Sequence, residues 1–154
     1  MKHLGLIALF ALAGCASALV DEKPDEAVTA PVALEAEVKA PPPPPSARTE
    51  EAFDTTTAEE REAAVAAPEP AGEAKLGVTV ATLGAPTDPG FWLETPLVSS
   101  MREGRVEAVN GKSVAVTLRP IEGPKTAGSR ISLPALRLLE VGLAGLHEVT
   151  VYAQ

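Results

Sequence analysis

Cys15 is the only cysteine of the 154-residue chain, and its surroundings are those best suited to covalent chemistry. It follows the small pair Ala13-Gly14, which closes an apolar segment that runs from Leu4 to Leu12, just after the basic Lys2. A basic start, an apolar core of about 7–15 residues and small residues before a cut define a secretory signal. The core is too short to cross about 30 Å of hydrocarbon as a helix. The sequence therefore predicts a signal peptide over residues 1–14 and an exported protein.

The run Leu12-Ala13-Gly14-Cys15 resembles the lipobox of bacterial lipoproteins, with the apolar core, the small pair and the cysteine in register. The resemblance implies that the chain is cut before Cys15, that the thiol carries diacylglycerol and that the new amine is acylated. Several acyl chains make such an anchor stable, at about 0.8 kcal/mol per buried methylene. In Gram-negative lipoproteins the next residues influence sorting, and Ala16-Ser17 implies the periplasmic face of the outer membrane. The alternative is an ordinary signal peptide with an incidental cysteine.

Beyond the signal segment, the side chains that could perform acid–base or metal chemistry are few and dispersed. His147 has no second ligand at metal-binding spacing and is expected at the surface, so we predict no metal and no cofactor. Glu94 and Glu122 could be the paired carboxylates of a glycosidase, but nothing in the sequence brings them together. Asp88 is typical of an Asx-type turn. We therefore predict no catalytic residue, and the chain carries no phosphate-cradling glycine motif and no nucleic-acid signature.

Four side chains are candidate binding residues: Trp92, Arg105, Arg119 and Arg130. Trp92, which follows Phe91, could belong to the core or could offer an aromatic surface to a sugar or a peptide. The three arginines, together with Arg102 and Lys112, could form a basic face for an anionic cell-wall polymer or for the chain's own acidic segment. They could equally be scattered, solvated charges.

The elements that must position these residues follow a long segment of biased composition. Residues 16–74 hold nine of the fifteen prolines, including Pro41–Pro45, and fourteen acidic residues against four basic ones. Such a segment buries too little apolar surface to offset its ordering entropy, so we predict a disordered tether over residues 15–74. The tether is either a spacer or, through its polyproline run, a docking motif. Within it, the capping box Thr57-Ala58-Glu59-Glu60 predicts a short helix over residues 58–67.

Residues 75–154 have the pattern of a small folded domain. Its β-branched runs, its turn residues and one apolar helical face predict strands at Leu76–Leu83 and Phe91–Val98, a hairpin of Arg105–Val109 and Lys112–Leu118, a helix at Pro134–Glu140 after the N-cap Ser132, and a last strand at Glu148–Tyr152. Asn110-Gly111 predicts a type I′ turn, and Pro96 places the second strand near an edge or a bulge. The order of elements predicts a mostly β fold, a compact barrel or sandwich with one short helix.

The run Asn110–Val116, then Glu122-Gly123-Pro124, then Ser129–Leu133 before an Ala/Leu helix is similar to the second half of the double-psi β-barrel of rare lipoprotein A. The resemblance implies a small double-psi-like barrel and, as one alternative function, a peptidoglycan-active enzyme. This chain departs from that family where its aspartate would stand, opposite Pro120 or Ile121. The opening motif of the family also differs, so the resemblance does not carry the activity over.

Over nearly its whole length the chain resembles a group of short bacterial lipoproteins, through its lipobox, its acidic Pro-rich segment, Phe53–Thr57 and Leu83–Leu97. Galactarate dehydratase activity is sometimes attributed to that group, which makes a lyase a further alternative. Such a reaction needs a positioned base and usually a metal beside the sugar acid. Our first hypothesis is instead a non-enzymatic lipoprotein, held at the periplasmic face of the outer membrane, whose small barrel binds peptidoglycan or an envelope protein.

Palmitate labelling of cells tests the predicted anchor. We expect the wild type to incorporate label and Cys15→Ala to incorporate none, because the variant lacks the thiol that would carry diacylglycerol. Equal labelling of the two proteins would show that Cys15 is not the attachment site.

Overall fold

The computed structural model describes residues 40–66 and 72–154. Within these ranges the elements in chain order are α1 (Glu50–Phe53), α2 (Ala58–Ala66), β1 (Ala74–Leu83), β2 (Trp92–Thr95), β3 (Arg102–Ala108), β4 (Ser113–Pro120), β5 (Ser129–Ile131), α3 (Leu133–Leu139) and β6 (His147–Ala153). The predicted strands at the two ends of the domain and the predicted helices all appear, with bounds shifted by a few residues. The first strand begins at Ala74, next to the predicted domain boundary.

The six strands form a closed barrel in the order β1-β5-β2-β4-β3-β6. The pairs β1–β5 and β2–β4 are parallel, and the other four pairs are antiparallel. Exchanging β1, β2 and β3 for β4, β5 and β6 leaves this pairing pattern unchanged, so the barrel consists of two interlocked halves. The predicted small, mostly β barrel with one short helix is therefore confirmed. Closure leaves no sheet edge, and Pro96 accordingly follows the end of β2 instead of lying on an edge.

Alternation along the strands separates the barrel interior from its outer face. In β4, Val114, Val116 and Leu118 are buried, while the intervening residues are partly exposed. Because side chains in a strand point alternately to opposite faces, the interior holds one side chain in two from each strand. The apolar core of the barrel and α3 comprises Ala81, Leu93, Val106, Ala108, Val114, Val116, Leu118, Ile131, Ala135, Leu136, Leu139, Val149, Val151 and Ala153.

Three buried hydroxyl groups connect β1, β5 and the end of β2. The Oγ1 of Thr79 lies 2.9 Å from the Oγ of Ser129, and that Oγ donates to the Oγ1 of Thr95 at 3.0 Å. Thr95 also accepts a bond from the backbone N–H of Leu97 at 3.3 Å. Buried polar groups are tolerated when they are hydrogen-bonded, and these three hydroxyl groups bond to one another.

The hairpin between β3 and β4 has the predicted position but a different turn. Its register pairs Glu107 with Ser113, and the N–H of Gly111 donates to the carbonyl of Ala108 at 2.9 Å. Gly111 has a φ of 80°, whereas Asn110 is not among the residues with positive φ. The predicted type I′ turn, which requires positive φ at both positions, is therefore wrong. The loop is a three-residue connection that ends on a left-handed glycine.

The side chain of Asn110 explains why this turn forms. Its Nδ2 donates to the carbonyl of Leu139 at the end of α3, at 2.8 Å, and its Oδ1 accepts from the N–H of Lys112 at 2.9 Å. The side chain thus satisfies one of the carbonyls that a helix end leaves unpaired. The tertiary contact with α3 positions the hairpin tip.

Helix α3 begins after the predicted N-cap, but Ser132 uses its hydroxyl elsewhere. Its Oγ accepts the backbone N–H of Trp92 at 3.2 Å, and its own N–H donates to the carbonyl of Trp92 at 3.0 Å. The helix ends at Glu140, which adopts the left-handed conformation with φ 52°. The predicted apolar face, Leu133, Leu136 and Leu139, is buried.

Residues 40–66, called the strap below, are ordered where the composition predicts disorder. The predicted helix is present as α2, and its capping box forms, with 2.7 Å from the N–H of Thr57 to Glu60 and 3.1 Å for the reciprocal bond. Ala64 of α2 belongs to the buried apolar cluster of the barrel. The prediction of disorder is therefore corrected for residues 40–66. It considered only their low hydropathy and did not include their polar contacts with the barrel. Residues 72–74 of the predicted tether lead into β1, whereas residues 15–39, which include Cys15, and residues 67–71, together with the signal peptide, lie outside the described residues.

Replacing Gly111 tests the revised turn. A Cβ at Gly111 would meet nothing within 4 Å, so strain at positive φ is the only cost that the structure offers. We expect Gly111→Val to lower the free energy of unfolding by about 1–3 kcal/mol. Gly111→Asn should cost less because asparagine tolerates this conformation, and Lys112→Ala should change stability by no more than about 0.5 kcal/mol. Urea unfolding followed by circular dichroism measures all three, and equal losses for valine and asparagine would contradict the turn.

Candidate ligand-binding groove

A groove of about 700 Å³ lies on the outer face of the barrel, beside the outward-facing residues of β4. Its walls come from the loop before β2, from β2 itself, from the start of β3 and from β4. The residues that line it are Asp88, Pro89, Gly90, Phe91, Trp92, Met101, Glu103, Ala115, Val116, Thr117 and Arg119. We call this site the groove. It combines apolar walls with three charged side chains.

Trp92 forms the inner wall of the groove although it points away from the barrel interior. Parallel pairing sets Trp92 beside Thr117, an outward residue of β4. Only 1% of the residue is exposed, because neighbouring segments cover the ring. Its indole N–H donates to the carbonyl of Asp88 at 3.1 Å. A Cβ at Gly84 would lie 2.3 Å from the indole, so glycine at this position leaves the ring its space.

Arg119 connects the aromatic wall with the acidic side of the groove. Its guanidinium carbon lies 4.9 Å from the centre of the Trp92 ring, and its Nη1 is 2.5 Å from the carboxylate of Asp88. A guanidinium over an aromatic ring contributes about 0.5–2 kcal/mol, depending on how far it is desolvated. Asp88 lies in a turn, with its N–H bonded to the carbonyl of Ala85, and its carboxylate, for which an Asx-type turn was predicted, bonds to Arg119.

The opposite side of the groove consists of β3 and the residue before it. The side chain of Thr117 donates to the Oε1 of Glu103 at 3.4 Å. Met101, which is 66% exposed, offers a flexible apolar side chain at the opening. Two carboxylates and one guanidinium therefore surround a surface built largely of aromatic, proline and methionine groups. Such a surface suits a ligand with both apolar faces and hydrogen-bonding groups.

Of the four predicted binding residues, the structure brings Trp92 and Arg119 together. Arg130 lies on the same outer face but pairs with Glu94 at 2.9 Å. The strand register places Glu94 of β2 between Arg119 of β4 and Arg130 of β5. One acidic side chain therefore lies between two basic ones across these three strands. Arg130 is not among the residues that line the groove.

Arg105 has a structural role that the sequence did not reveal. It is 5% exposed and makes two hydrogen bonds to Glu73, at 2.8 and 3.1 Å. Its Nη1 bonds to Glu107 at 2.9 Å, and the guanidinium lies 4.2 Å from the ring centre of Tyr152. The hypothesis that Arg105 contributes to an open basic face is therefore corrected, because acidic and aromatic neighbours enclose it.

The remaining candidates are dispersed over the described residues. Glu94 is engaged by Arg130, and Glu122 is exposed in the loop after β4. His147 is half-buried instead of superficial, and its Nε2 is buried without a hydrogen-bond partner. Within residues 40–66 and 72–154, no group of three or more His, Cys, Asp or Glu side chains could hold a metal ion. In the same ranges, no helix has the length and apolar character needed to cross a bilayer.

Sequence reasoning missed Met101, Glu103 and the carboxylate of Asp88 as groove residues. No local signal marks them, because strand pairing assembles the groove from three separate stretches of the chain, residues 88–92, 101–103 and 115–119. No protein-family model, curated protein or solved structure matches the sequence. The chemistry of the groove is therefore argued from its geometry.

The contact between Gly84 and Trp92 gives a testable expectation. Gly84→Ala forces a methyl group against the indole, with 2.3 Å to Cη2 and 2.9 Å to Cζ3. We expect a loss of about 1–3 kcal/mol in the free energy of unfolding, measured by urea titration with circular dichroism. In a Trp92→Phe background those two ring atoms are absent, so the same change should cost at least about 1 kcal/mol less. An equal cost in both backgrounds would show that the indole does not require the glycine.

Proposed function

We propose that this chain is a lipid-anchored envelope protein, attached through Cys15 to the periplasmic face of the outer membrane, whose barrel binds an envelope partner in the groove. The observation that carries the binding role is the assembly of Trp92, Arg119 and Asp88 in one concave site of about 700 Å³. The anchor rests on the sequence around Cys15.

The charges of the groove favour binding over a chemical step. Arg119 neutralises the carboxylate of Asp88, and Arg130 engages Glu94 on the neighbouring strand. A carboxylate that is bonded to a guanidinium group fixes the geometry of both side chains. We therefore assign these pairs to recognition and stability.

The partner that we propose first is peptidoglycan. Its sugar rings have apolar faces that the partly exposed Phe91 and the exposed Met101 can contact, and its sugars and peptides carry hydrogen-bonding groups for Arg119, Asp88 and Glu103. A site of this size holds a few such units of a longer polymer. An envelope protein that presents an extended segment with the same groups is the alternative partner.

Sedimentation with purified sacculi tests the groove, and two matched variants separate it from the rest of the surface. Met101 and Leu146 are both exposed apolar residues, 66% and 74% respectively, and only Met101 lines the groove. We expect Met101→Glu to weaken binding by about tenfold, because a charge replaces an apolar contact that the ligand would desolvate. Leu146→Glu should bind within about twofold of the wild type.

Equal weakening by both variants, or no binding by the wild type, would contradict peptidoglycan binding in the groove. Circular dichroism melting of each variant establishes that the barrel is folded. Release of soluble fragments from the sacculi would instead favour the peptidoglycan-active alternative.

A further inference from the structure

The strap is attached to the barrel at a buried carboxylate. The side chain of Asp54, which follows α1, is 1% exposed and accepts a bond of 2.8 Å from the Nη1 of Arg137 in α3. Arg61 of α2 lies 3.6 Å from the same oxygen. The other carboxylate oxygen accepts bonds from the N–H and the hydroxyl of Thr56, at 3.2 and 2.5 Å. Of these partners, Arg137 alone belongs to the barrel domain.

The apolar contribution of the strap is small by comparison. Its buried residues are Ala40, Ala47, Thr56 and Ala64, and Phe53 is partly buried but lies outside the apolar cluster of the barrel. Ala64 alone among them belongs to the apolar cluster, and Val65 beside it is 49% exposed. The barrel interior is built instead from leucine, isoleucine and valine. Burial stabilises in proportion to apolar area, so the closed position of the strap depends heavily on the bond between Asp54 and Arg137.

Segments with few buried apolar contacts open at a lower free energy than the core. Opening the strap would leave the strand pairing of the barrel intact, because none of the six strands pairs with residues 40–66. The strap lies between the proposed attachment point, Cys15, and the start of β1. Fully extended, residues 40–66 span at most about 90–100 Å.

We propose that the strap is a releasable latch. In the closed state, Asp54 bonds to Arg137 and holds residues 40–66 against the barrel. In the open state that bond is broken, the barrel stays folded and residues 40–66 lengthen the connection to the N-terminus. The latch stands on the strap contacts alone, whereas its role in setting how far the barrel reaches from a membrane rests on the proposed anchor at Cys15.

A force or a partner that favours the extended connection would shift the latch towards the open state. Such a partner shifts the equilibrium only by the difference in its affinity for the two states. A target that lies beyond the reach of the closed state supplies that difference in affinity, because only the open state can bind it.

Hydrogen exchange on the full-length chain, with no ligand or membrane added, tests the latch. We expect Asp54→Asn and Arg137→Gln each to speed exchange of protected strap amides, such as that of Arg61, by at least about tenfold. The amides of Val114 and Val116 in β4 should change by less than about twofold. Small-angle X-ray scattering should show a larger maximum dimension for both variants. Asp54→Asn alters no residue of the barrel domain, so it keeps the test valid if Arg137→Gln folds poorly.

Arg130→Gln is the matched control, because it also removes an arginine that forms one ion pair on the barrel surface. Its strap amides should exchange as in the wild type. The latch is refuted if strap and β4 amides lose protection together, if Arg130→Gln speeds the strap equally, or if the wild-type strap already exchanges at the rate of a free chain. These readings do not depend on peptidoglycan binding or lipid attachment, so they separate failure of the latch from failure of the proposed function.

Discussion

The pairing of β2 on both of its sides is the constraint on which the barrel depends. This four-residue strand pairs in parallel with β4 and antiparallel with β5, so that Leu93 lies between Leu118 and Ile131. Two further bonds extend the junction: the N–H of Trp92 donates to the Oγ of Ser132, and the N–H of Ser132 donates to the carbonyl of Trp92. Every strand of the first half lies between two strands of the second, so the barrel closes only if this short strand pairs on both of its sides. Without it the sheet would open and expose two unpaired edges.

Strand β2 also carries the aromatic ring on which a charged pair lies at the outer surface of the barrel. Alternation turns Leu93 inward and Trp92 outward, and the bond between Arg119 and Asp88 lies over the outward ring. Elsewhere, Arg105 bonds to Glu73 just before β1, and Asp54 holds the strap. Both members of the pair between Arg105 and Glu73 are buried, so removing either one leaves an uncompensated buried charge, which is strongly destabilising. Part of the acidity of the N-terminal segment therefore holds the chain together instead of keeping it solvated.

Local patterns predicted most elements of the barrel because each depends on neighbouring residues. Alternation indicated β1 and β6, turn residues located the hairpin, and the capping box at Thr57 predicted α2. Composition was less informative. The proline and acidic content of residues 40–66 predicted disorder. Composition does not show that Asp54 bonds to Arg137, which lies 83 positions further along the chain. The prediction of disorder for the strap was corrected for that reason.

The sequence alone determined where strands, turns and helices form, since backbone geometry and side-chain periodicity act over a few residues. The tertiary structure decided which of them meet. Asn110 was assigned the conformation that its dipeptide favours, yet its bond to Leu139 across the fold selects another turn. Arg105 and Arg119 have the same side chain on neighbouring strands, but one is enclosed by glutamates while the other borders a groove. Their difference comes from strand order and closure, which set the partners of each charge and which no local spacing encodes.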